Sequence, residues 1–224
     1  MKNLIKTLVF FVVVTVTAQN PITKTVGEFS ELKVYDLINV ELIKSKENKI
    51  EVTGKNAANV VVVNKNGILK IKLNIEEIFD GNHTNVKLYY TSFDIIDVNE
   101  GAMVNSNETI SQFEVELKAQ EGGIIKLHLD AKETSIKSVT GGVIELEGKT
   151  NNQSISIGTG GILKAENLQA NNTSVAVRAG GEAHVNTTEL LDIKIRAGGY
   201  VFIYGKPNKV PESRVLGGRI KHVN

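Results

Sequence analysis

The 224-residue chain contains no cysteine, no tryptophan and only three prolines. Without cysteine the protein has no disulfide, no thiolate metal ligand and no attachment point for a cysteine-linked lipid, so we expect it not to be a lipoprotein. Aromatic residues make up only 5% of the chain, whereas glycine occurs 20 times. Packing and hydrogen bonds must therefore hold the fold together without covalent cross-links.

The chain also lacks a long hydrophobic run. Its N-terminal apolar stretch, residues 8–14, is shorter than the roughly 20 residues that a spanning helix needs. Two lysines precede it, and residues 16–18 are small where a signal peptidase would cut. This pattern predicts a signal peptide over residues 1–18 and a mature chain that begins at Gln19, with a membrane anchor as the alternative. We therefore expect an exported protein in the periplasm, at the cell surface or outside the cell, with no transmembrane segment after signal removal.

Neither sign of charge is in excess. Residues 1–18 contain two lysines and no acid, so the mature chain has 24 basic and 25 acidic residues and a net charge of 24 − 25 = −1. A basic surface is what attracts nucleic acid or anionic membranes, and here it is missing. We predict no nucleic-acid partner.

A paired-glycine repeat fills the C-terminal half of the chain. The second glycine of each pair lies at 123, 142, 161, 181, 199 and 218, after a degenerate copy that ends at Ala102, so the steps are 21, 19, 19, 20, 18 and 19 residues. Such even spacing is typical of a repeat architecture. Glycine suits a bend because it lacks a Cβ atom. The predicted bend residues are Gly122, Gly123, Gly141, Gly142, Gly160, Gly161, Gly180, Gly181, Gly198, Gly199, Gly217 and Gly218.

Alternating apolar residues flank each glycine pair, as at Ile155 before one bend and Leu163 after it. Each repeat is therefore predicted to be two short strands joined at the bend and closed by a polar loop. The nearly constant repeat length favours the stacked coils of a parallel β-helix, and an antiparallel meander is the alternative. In stacked coils, Asn151 and Asn152 should hydrogen-bond along the stack with Asn171 and Asn172, which lie 20 residues further on.

These patterns predict one all-β domain over residues 19–224, a solenoid of about ten coils of roughly 19 residues each. Residues 28–98 should form less regular N-terminal coils, and residues 99–224 the regular Gly-Gly coils. The longest irregular insertion, residues 74–85, contains at residues 75–79 a segment that we interpret as a loop rather than a helix.

Several motifs, in this order and spacing, resemble those of one family of exported, mostly Bacteroidetes-type proteins of unknown function, the "putative auto-transporter adhesin, head GIN domain" family. They are the signal peptide, the opening Phe29-x-x-Leu32-x-Val34, the strand Gly67-Ile68-Leu69-Lys70-Ile71, the serial glycine bends and the closing Tyr204-Gly205-x-Pro207. The resemblance covers essentially the whole mature chain. It implies a right-handed, single-stranded β-helix and an adhesin-like role, and it supplies no catalytic residues.

Outward positions of stacked coils form rows in which chemistry would show. The third residue after each glycine pair gives Lys126, Glu145, Lys164, His184 and Phe202, which we interpret as a solvated ion-pair ladder in its charged part.

The fifth residue after each pair places Glu147 and Glu166 on neighbouring coils, near the spacing of a retaining glycosidase pair. This pair is the basis of the alternative function, a polysaccharide lyase or glycoside hydrolase. Without a pocket the geometry is a weak basis for catalysis, so we predict that the protein is not an enzyme.

Arg178 and Arg196 occupy equivalent positions before two bends, and Tyr200 follows the second bend. Because Arg suits bidentate contacts with carboxylates and Tyr offers an aromatic face, these three residues are the candidate binding surface for an acidic or neutral sugar. The structural alternative is that Glu182 bridges the two arginines. The four histidines occupy unrelated positions, so no metal site and no cofactor is predicted.

The sequence thus predicts an exported, non-enzymatic module that is adhesin-like, binds glycans or serves as a structural protein of the cell envelope. Its partner would be a cell-surface glycan or an envelope protein. The last coil, residues 215–223, is predicted to present an open strand edge, which makes a homodimer through that edge a further possibility.

Overall fold

The computed structural model describes residues 21–74 and 80–223. The predicted signal peptide and the segment at residues 75–79 lie outside the described residues. Within them, no helix is long and apolar enough to cross a membrane. Their helical structure amounts to a single 3-10 turn, Ala57–Asn59.

The prediction of an all-β solenoid is confirmed, with coils of about 19 residues. Apolar and polar residues alternate along most strands, so that one set packs inside and the other faces outward. The strands are β1 (Ile22–Thr25), β2 (Glu31–Val34), β3 (Asn39–Lys44), β4 (Lys49–Gly54), β5 (Val60–Lys65), β6 (Ile68–Leu73), β7 (Thr84–Tyr90), β8 (Ile95–Val98), β9 (Met103–Ala119), β10 (Ile124–Ser138), β11 (Val143–Gly158), β12 (Ile162–Arg178), β13 (Glu182–Arg196), β14 (Tyr200–Tyr204), β15 (Glu212–Val215) and β16 (Arg219–His222).

Two faces of the solenoid meet at the bends. On the first face the strand order is β1-β4-β7-β3-β9-β10-β11-β12-β13-β14-β16. On the second face β6, β2 and β8 lead to the C-terminal parts of β9 to β13 and then to β15. Pairing from β9 onward is parallel throughout, as stacked coils require.

Each regular coil is one long strand, not two short strands and a loop as predicted. Strands β9 to β13 run for 15–17 residues from one bend to the next. The polar segment that was predicted to be a loop stays in the sheet. Because the coils have nearly equal lengths, its backbone lies opposite the same segment of the next coil and pairs with it. One of the predicted asparagine pairs is confirmed, since Asn172 Nδ2 donates to Asn152 Oδ1 over 3.0 Å. Asn151 and Asn171, both of which the structure describes, form no such bond.

The solenoid has about seven turns rather than the predicted ten. The difference arises in the N-terminal part, where β1, β4 and β5 have only antiparallel partners and add no coil. Their pairs are β1 with β4, β4 with β7, and β5 with β6. Alternation of apolar and polar residues is the same in parallel and antiparallel strands, so the sequence pattern did not separate them.

The bend is a tight turn that uses two residues with positive φ. At the bend between β10 and β11, Thr140 has φ 50° and Gly141 has φ 73°. The amide of Gly142 then donates to the carbonyl of Val139 over 3.0 Å. Two successive positive φ angles closed by such a hydrogen bond resemble a type I′ turn, here joining the two faces instead of a hairpin.

The second glycine of each pair has a different role, which is to leave space. A Cβ atom on Gly142 would overlap the carbonyl oxygen of Ala119 on the preceding coil, and one on Gly161 would overlap that of Ser138. In the degenerate first bend Ala102 holds this place and is fully buried. The core beneath the bends is aliphatic, apart from a buried polar strip in which the hydroxyls of Thr173 and Thr187 lie 2.6 Å apart.

Candidate functional site

The first face carries two outward rows that run along the solenoid. The ladder row continues the predicted series in both directions, and the bend row lies beside it, one residue after each bend. Register pairs place in the ladder row Glu41, Asn105, Lys126, Glu145, Lys164, His184, Phe202 and Lys221. They place in the bend row Asn85, Asn39, Met103, Ile124, Val143, Ile162, Glu182 and Tyr200.

In the middle coils the ladder row is an ion-pair ladder, which confirms the prediction. Glu145 lies between Lys126, at 3.0 Å, and Lys164, at 2.8 Å. The hydrogen bond from Lys164, together with that from Lys126, lowers the pKa of the Glu145 carboxyl below its ordinary value of 4.5. The bend row beside it holds half-buried Ile124, Val143 and Ile162. This part of the face satisfies its own charges and has little left to offer a ligand.

At the C-terminal end the same rows become aromatic. Tyr200, Phe202 and Tyr204 alternate along β14, so all three rings stand on the outer surface. The rings of Tyr200 and Phe202 are 6.2 Å apart and nearly parallel, and Phe202 stacks on His184 at 4.5 Å. His184 lies 5.7 Å from Tyr204. We call these four residues the aromatic row.

A chain of hydrogen bonds holds the aromatic row in place. Nε2 of His184 lies 2.7 Å from a carboxylate oxygen of Glu182, and Nδ1 lies 3.0 Å from the hydroxyl of Tyr204. The ammonium group of Lys221 sits over the Phe202 ring, 5.3 Å from its centroid. Tyr200, at the open end, is 38% exposed. Because the rings are fixed before any ligand arrives, little side-chain entropy remains to be lost on binding.

Of the aromatic row, the sequence indicated Tyr200 as a binding candidate and placed His184 and Phe202 in one outward row, but it did not predict that the rings stack or that Tyr204 joins them. The available signal was the spacing Tyr200-x-Phe202-x-Tyr204, which puts three of the twelve Phe and Tyr residues of the chain on one face of a strand. Counting from the glycines already places His184 opposite Phe202 on the preceding coil, but the count does not show that the two rings stack.

The two candidate arginines are brought together, but away from Tyr200. Arg178 and Arg196 are exposed register partners on the second face, and the bend separates them from the aromatic row. Within residues 21–74 and 80–223, no carboxylate oxygen lies within 4.0 Å of either guanidinium. The expected bridge through Glu182 is wrong, because that carboxylate pairs with His184 instead.

The expectation that Glu147 and Glu166 face each other directly across neighbouring coils is wrong, because they are not register partners. Glu145 pairs with Lys164, and the next pair is Glu147 with Asn167. One residue of β11 but two residues of β12 lie between these pairs, so Asn167 and not Glu166 is opposite Glu147. On the other side, Glu147 lies 3.9 Å from the ring of His128. In the described part of the chain no group of three or more His, Asp and Glu side chains is arranged to hold a metal ion.

The fold and the surface together define the class of protein: a parallel β-helix whose candidate binding groups lie in outward rows along the strands. The chain belongs to the family described as "Putative auto-transporter adhesin, head GIN domain", whose model matches residues 28–207. No curated protein is a significant match to the chain.

Solved structures of Bacteroidetes proteins share the fold. A "putative adhesin" from Bacteroides fragilis superposes with a TM-score of 0.82 at 19% identity, covering 92% of this chain and 98% of its own. A "putative adhesin" from Parabacteroides distasonis has a TM-score of 0.72 at 19% identity, covering 91% of this chain and 96% of its own. A "Putative lipid binding protein" from the same species has a TM-score of 0.66 at 20% identity, covering 92% and 98%.

Proposed function

We propose that the protein is an exported, non-enzymatic, adhesin-like module of the cell envelope that binds glycans through the aromatic row. The observation that carries this proposal is the stack of Tyr200, Phe202, His184 and Tyr204 on the outer surface, in which neighbouring rings are tilted by 13° to 29°. Aromatic faces supply rigid contact area that is apolar in the plane and polar at the hydroxyl, which suits sugars with their apolar C–H faces and hydroxyl rims.

Membership of the adhesin head-domain family and the likeness in fold to the putative adhesin of Bacteroides fragilis support the same role. The enzyme alternative loses its main support, because the two carboxylates on which it rested are offset by the extra residue in β12. Export itself rests on the predicted signal peptide at residues 1–18.

A glycan array with the purified protein tests this proposal. We expect Phe202→Ala to weaken binding about tenfold or more, equivalent to ~1.4 kcal/mol, because it removes the central ring of the row. Phe113→Ala is the matched control, since Phe113 is 71% exposed and lies on β9, away from the row. Equal binding by both variants would overturn the aromatic-row site. Binding to phospholipid vesicles but to no glycan would point to a lipid surface, and binding to neither would favour a structural role in the envelope.

The arginine pair remains a candidate site within the same proposal. Arg178 and Arg196 offer two guanidinium groups one coil apart, about 4.8 Å in a parallel stack, and both are exposed. Such a pair suits the carboxylates of an acidic glycan. Loss of acidic-glycan binding in an Arg178→Ala/Arg196→Ala variant, with neutral-glycan binding unchanged, would support this second contact surface.

Self-association through the last coil also remains a proposal. Among the described residues, β15 and β16 each pair along one edge only, and Leu216 between them is 83% exposed. An unpaired edge beside an exposed apolar side chain favours pairing with a second copy. We expect Leu216→Lys to abolish a dimer seen by light scattering at high concentration, and a monomeric wild-type protein would exclude it.

A further inference from the structure

We infer that a polar groove at the N-terminal end of the first face is a second binding site, with neutral carbohydrate as its ligand class. The groove has a volume of about 560 Å³. Its outward side chains include Asn39 and Glu41 of β3, Asn85 and Lys87 of β7, Glu51 of β4 and Asn105 of β9. The inference rests on the proposed function only for the glycan nature of the ligand, since the groove shares no residue with the aromatic row.

One wall of the groove is an irregular turn of β9. Between the register pairs Asn105–Lys126 and Thr109–His128, β9 has three residues where β10 has one, so residues 106–108 project outward. Three hydrogen bonds tie this projection to β3 and hold it rigid. Ser106 Oγ donates to the Leu42 carbonyl, the Lys44 amide donates to Glu108, and Asn107 Nδ2 donates to Glu41 over 2.8 Å.

The floor of the groove presents polar groups that are free for a ligand. Asn107 donates a hydrogen bond to Glu41, Thr53 donates to the backbone carbonyl of Asn85, and Tyr89 donates to Glu51. Within the described ranges, the side-chain amides of Asn39, Asn85 and Asn105 have no hydrogen-bond partner. Each can donate two hydrogen bonds and accept two, which matches the paired hydroxyl groups of a sugar ring.

The charge of the groove favours a neutral ligand over an acidic one. In register, Lys87 stands between Glu41 on one neighbouring strand and Glu51 on the other. The carboxylate of Glu51 is 3.7 Å from Lys49 and accepts a hydrogen bond from Tyr89. Lys87 and Lys49 together balance the two carboxylates, so the groove has no excess positive charge to attract the carboxylates of an acidic glycan, while its charged groups can hydrogen-bond to the hydroxyl groups of a neutral one.

The same two rows show why the site lies at this end. In the middle coils the corresponding positions are filled by aliphatic side chains or by the ion-pair ladder, as at Val143 and Glu145. At Asn39 and Asn85, which are register partners on β3 and β7, the rows carry free amides instead. In the part of the chain that the structure describes, the groove is therefore a place where these rows have unpaired polar side chains, whereas in the middle coils the polar side chains of the rows pair with each other.

Titration by NMR tests this site directly. Maltohexaose, cellohexaose, oligogalacturonate and a chitosan oligomer would be added separately to the ¹⁵N-labelled protein while the side-chain amide resonances of Asn39, Asn85 and Asn105 are followed. We expect these resonances to shift with a neutral hexasaccharide, and we expect an Asn39→Ala/Asn85→Ala variant to bind it about tenfold more weakly. An Asn151→Ala/Asn171→Ala variant is the matched control, because it removes two exposed amides outside the groove.

Shifts confined to the acidic or the cationic oligomer, no shift with any neutral sugar, or equal affinity of both double variants would each overturn the inference. Failure of the aromatic-row proposal is distinguishable, because Phe202→Ala would then leave array binding intact while the groove amides still shifted. Failure of the groove alone would leave the effect of Phe202→Ala unchanged.

Discussion

The middle of the first face and its two ends are built on the same rows but differ in what those rows expose. Between β10 and β12 every outward charge in the ladder row has a partner one coil away, with Glu145 held by two lysines. At the N-terminal end the rows hold free amides, and at the C-terminal end they hold stacked rings, of which Tyr200 is 38% exposed.

The middle coils therefore contribute mainly to stability, and the candidate binding surfaces lie at the two ends of the solenoid. Equal coils stack because their rows match, so the middle coils act as a scaffold that holds two dissimilar surfaces apart. Six strand spacings of about 4.8 Å separate β3 from β14, or about 29 Å. A solenoid can vary its end coils without disturbing the register of the coils between them, because each coil contacts only its neighbours.

The largest effect is expected from breaking the scaffold at a bend. Gly142→Ala should cost about 2–3 kcal/mol, because the new Cβ would overlap the Ala119 carbonyl and force the backbone apart. Gly141→Ala, in the same turn, should cost about 1–2 kcal/mol, since its φ of 73° is unfavourable with a Cβ but the space around it is open. Urea unfolding of both variants measures the difference, and a larger loss for Gly141→Ala would contradict these separate roles of the two glycines.

A smaller effect is expected at the C-terminal end. Tyr204→Phe removes the hydroxyl that lies 3.0 Å from His184 and leaves the ring in place. We expect a loss of about 1 kcal/mol in stability, the worth of one partly buried hydrogen bond, together with weaker glycan binding because the His184 ring is no longer held from both sides. Tyr35→Phe, on the second face, is the control for loss of a tyrosine hydroxyl. Unchanged glycan affinity in Tyr204→Phe would show that the aromatic row does not need this bond.

In the middle coils, Glu145→Gln should cost no more than about 1 kcal/mol, because both ion pairs are partly exposed. The lysines lower the folded-state pKa of Glu145, so its contribution is present above the unfolded value near 4.5 and is lost as the pH falls through the folded value. Wild type and variant should therefore differ at pH 7 and converge in acid and in 1 M salt. A difference that persisted under both conditions would argue against an electrostatic origin.

The smallest effect is expected at the first bend, where Glu100 lies beside Asp36. Burial and then the hydrogen bond with Asp36 raise the pKa of Glu100 above its ordinary value of 4.5. When the pKa of a group is higher in the folded state, the group stabilises the fold fully at pH values below its unfolded-state pKa. That stabilisation is lost as the pH rises through the folded-state pKa. Glu100→Gln should thus be slightly more stable than wild type at pH 7 and lose that advantage near pH 4. The urea midpoints of variant and wild type, measured between pH 4 and pH 7, check this prediction. A variant that is less stable than wild type at pH 7 would contradict it.

Much of the regular half was predictable from spacing. The glycine pairs located the bends, the constant coil length predicted parallel stacking, and counting from the glycines placed Lys126, Glu145 and Lys164 in one row. Counting failed where β12 gains a residue, because a fixed count from the glycines ignores the break in alternation between Ala165 and Leu168. As a result Glu166 was placed opposite Glu147, where the structure has Asn167. The amide groove was missed because it joins β3, β4, β7 and β9, which are far apart in the chain.

The sequence by itself determined the solenoid and the length of its coils, since glycine pairs recur at a nearly constant interval and the residues around them alternate. Only the tertiary structure decided which strands of the N-terminal part pair antiparallel, where β9 and β12 bulge, and that the rings of His184 and Phe202 stack. The physical reason is that register between coils is a property of pairs of strands. A local pattern sets which side chains face outward, but the pairing sets which of them meet.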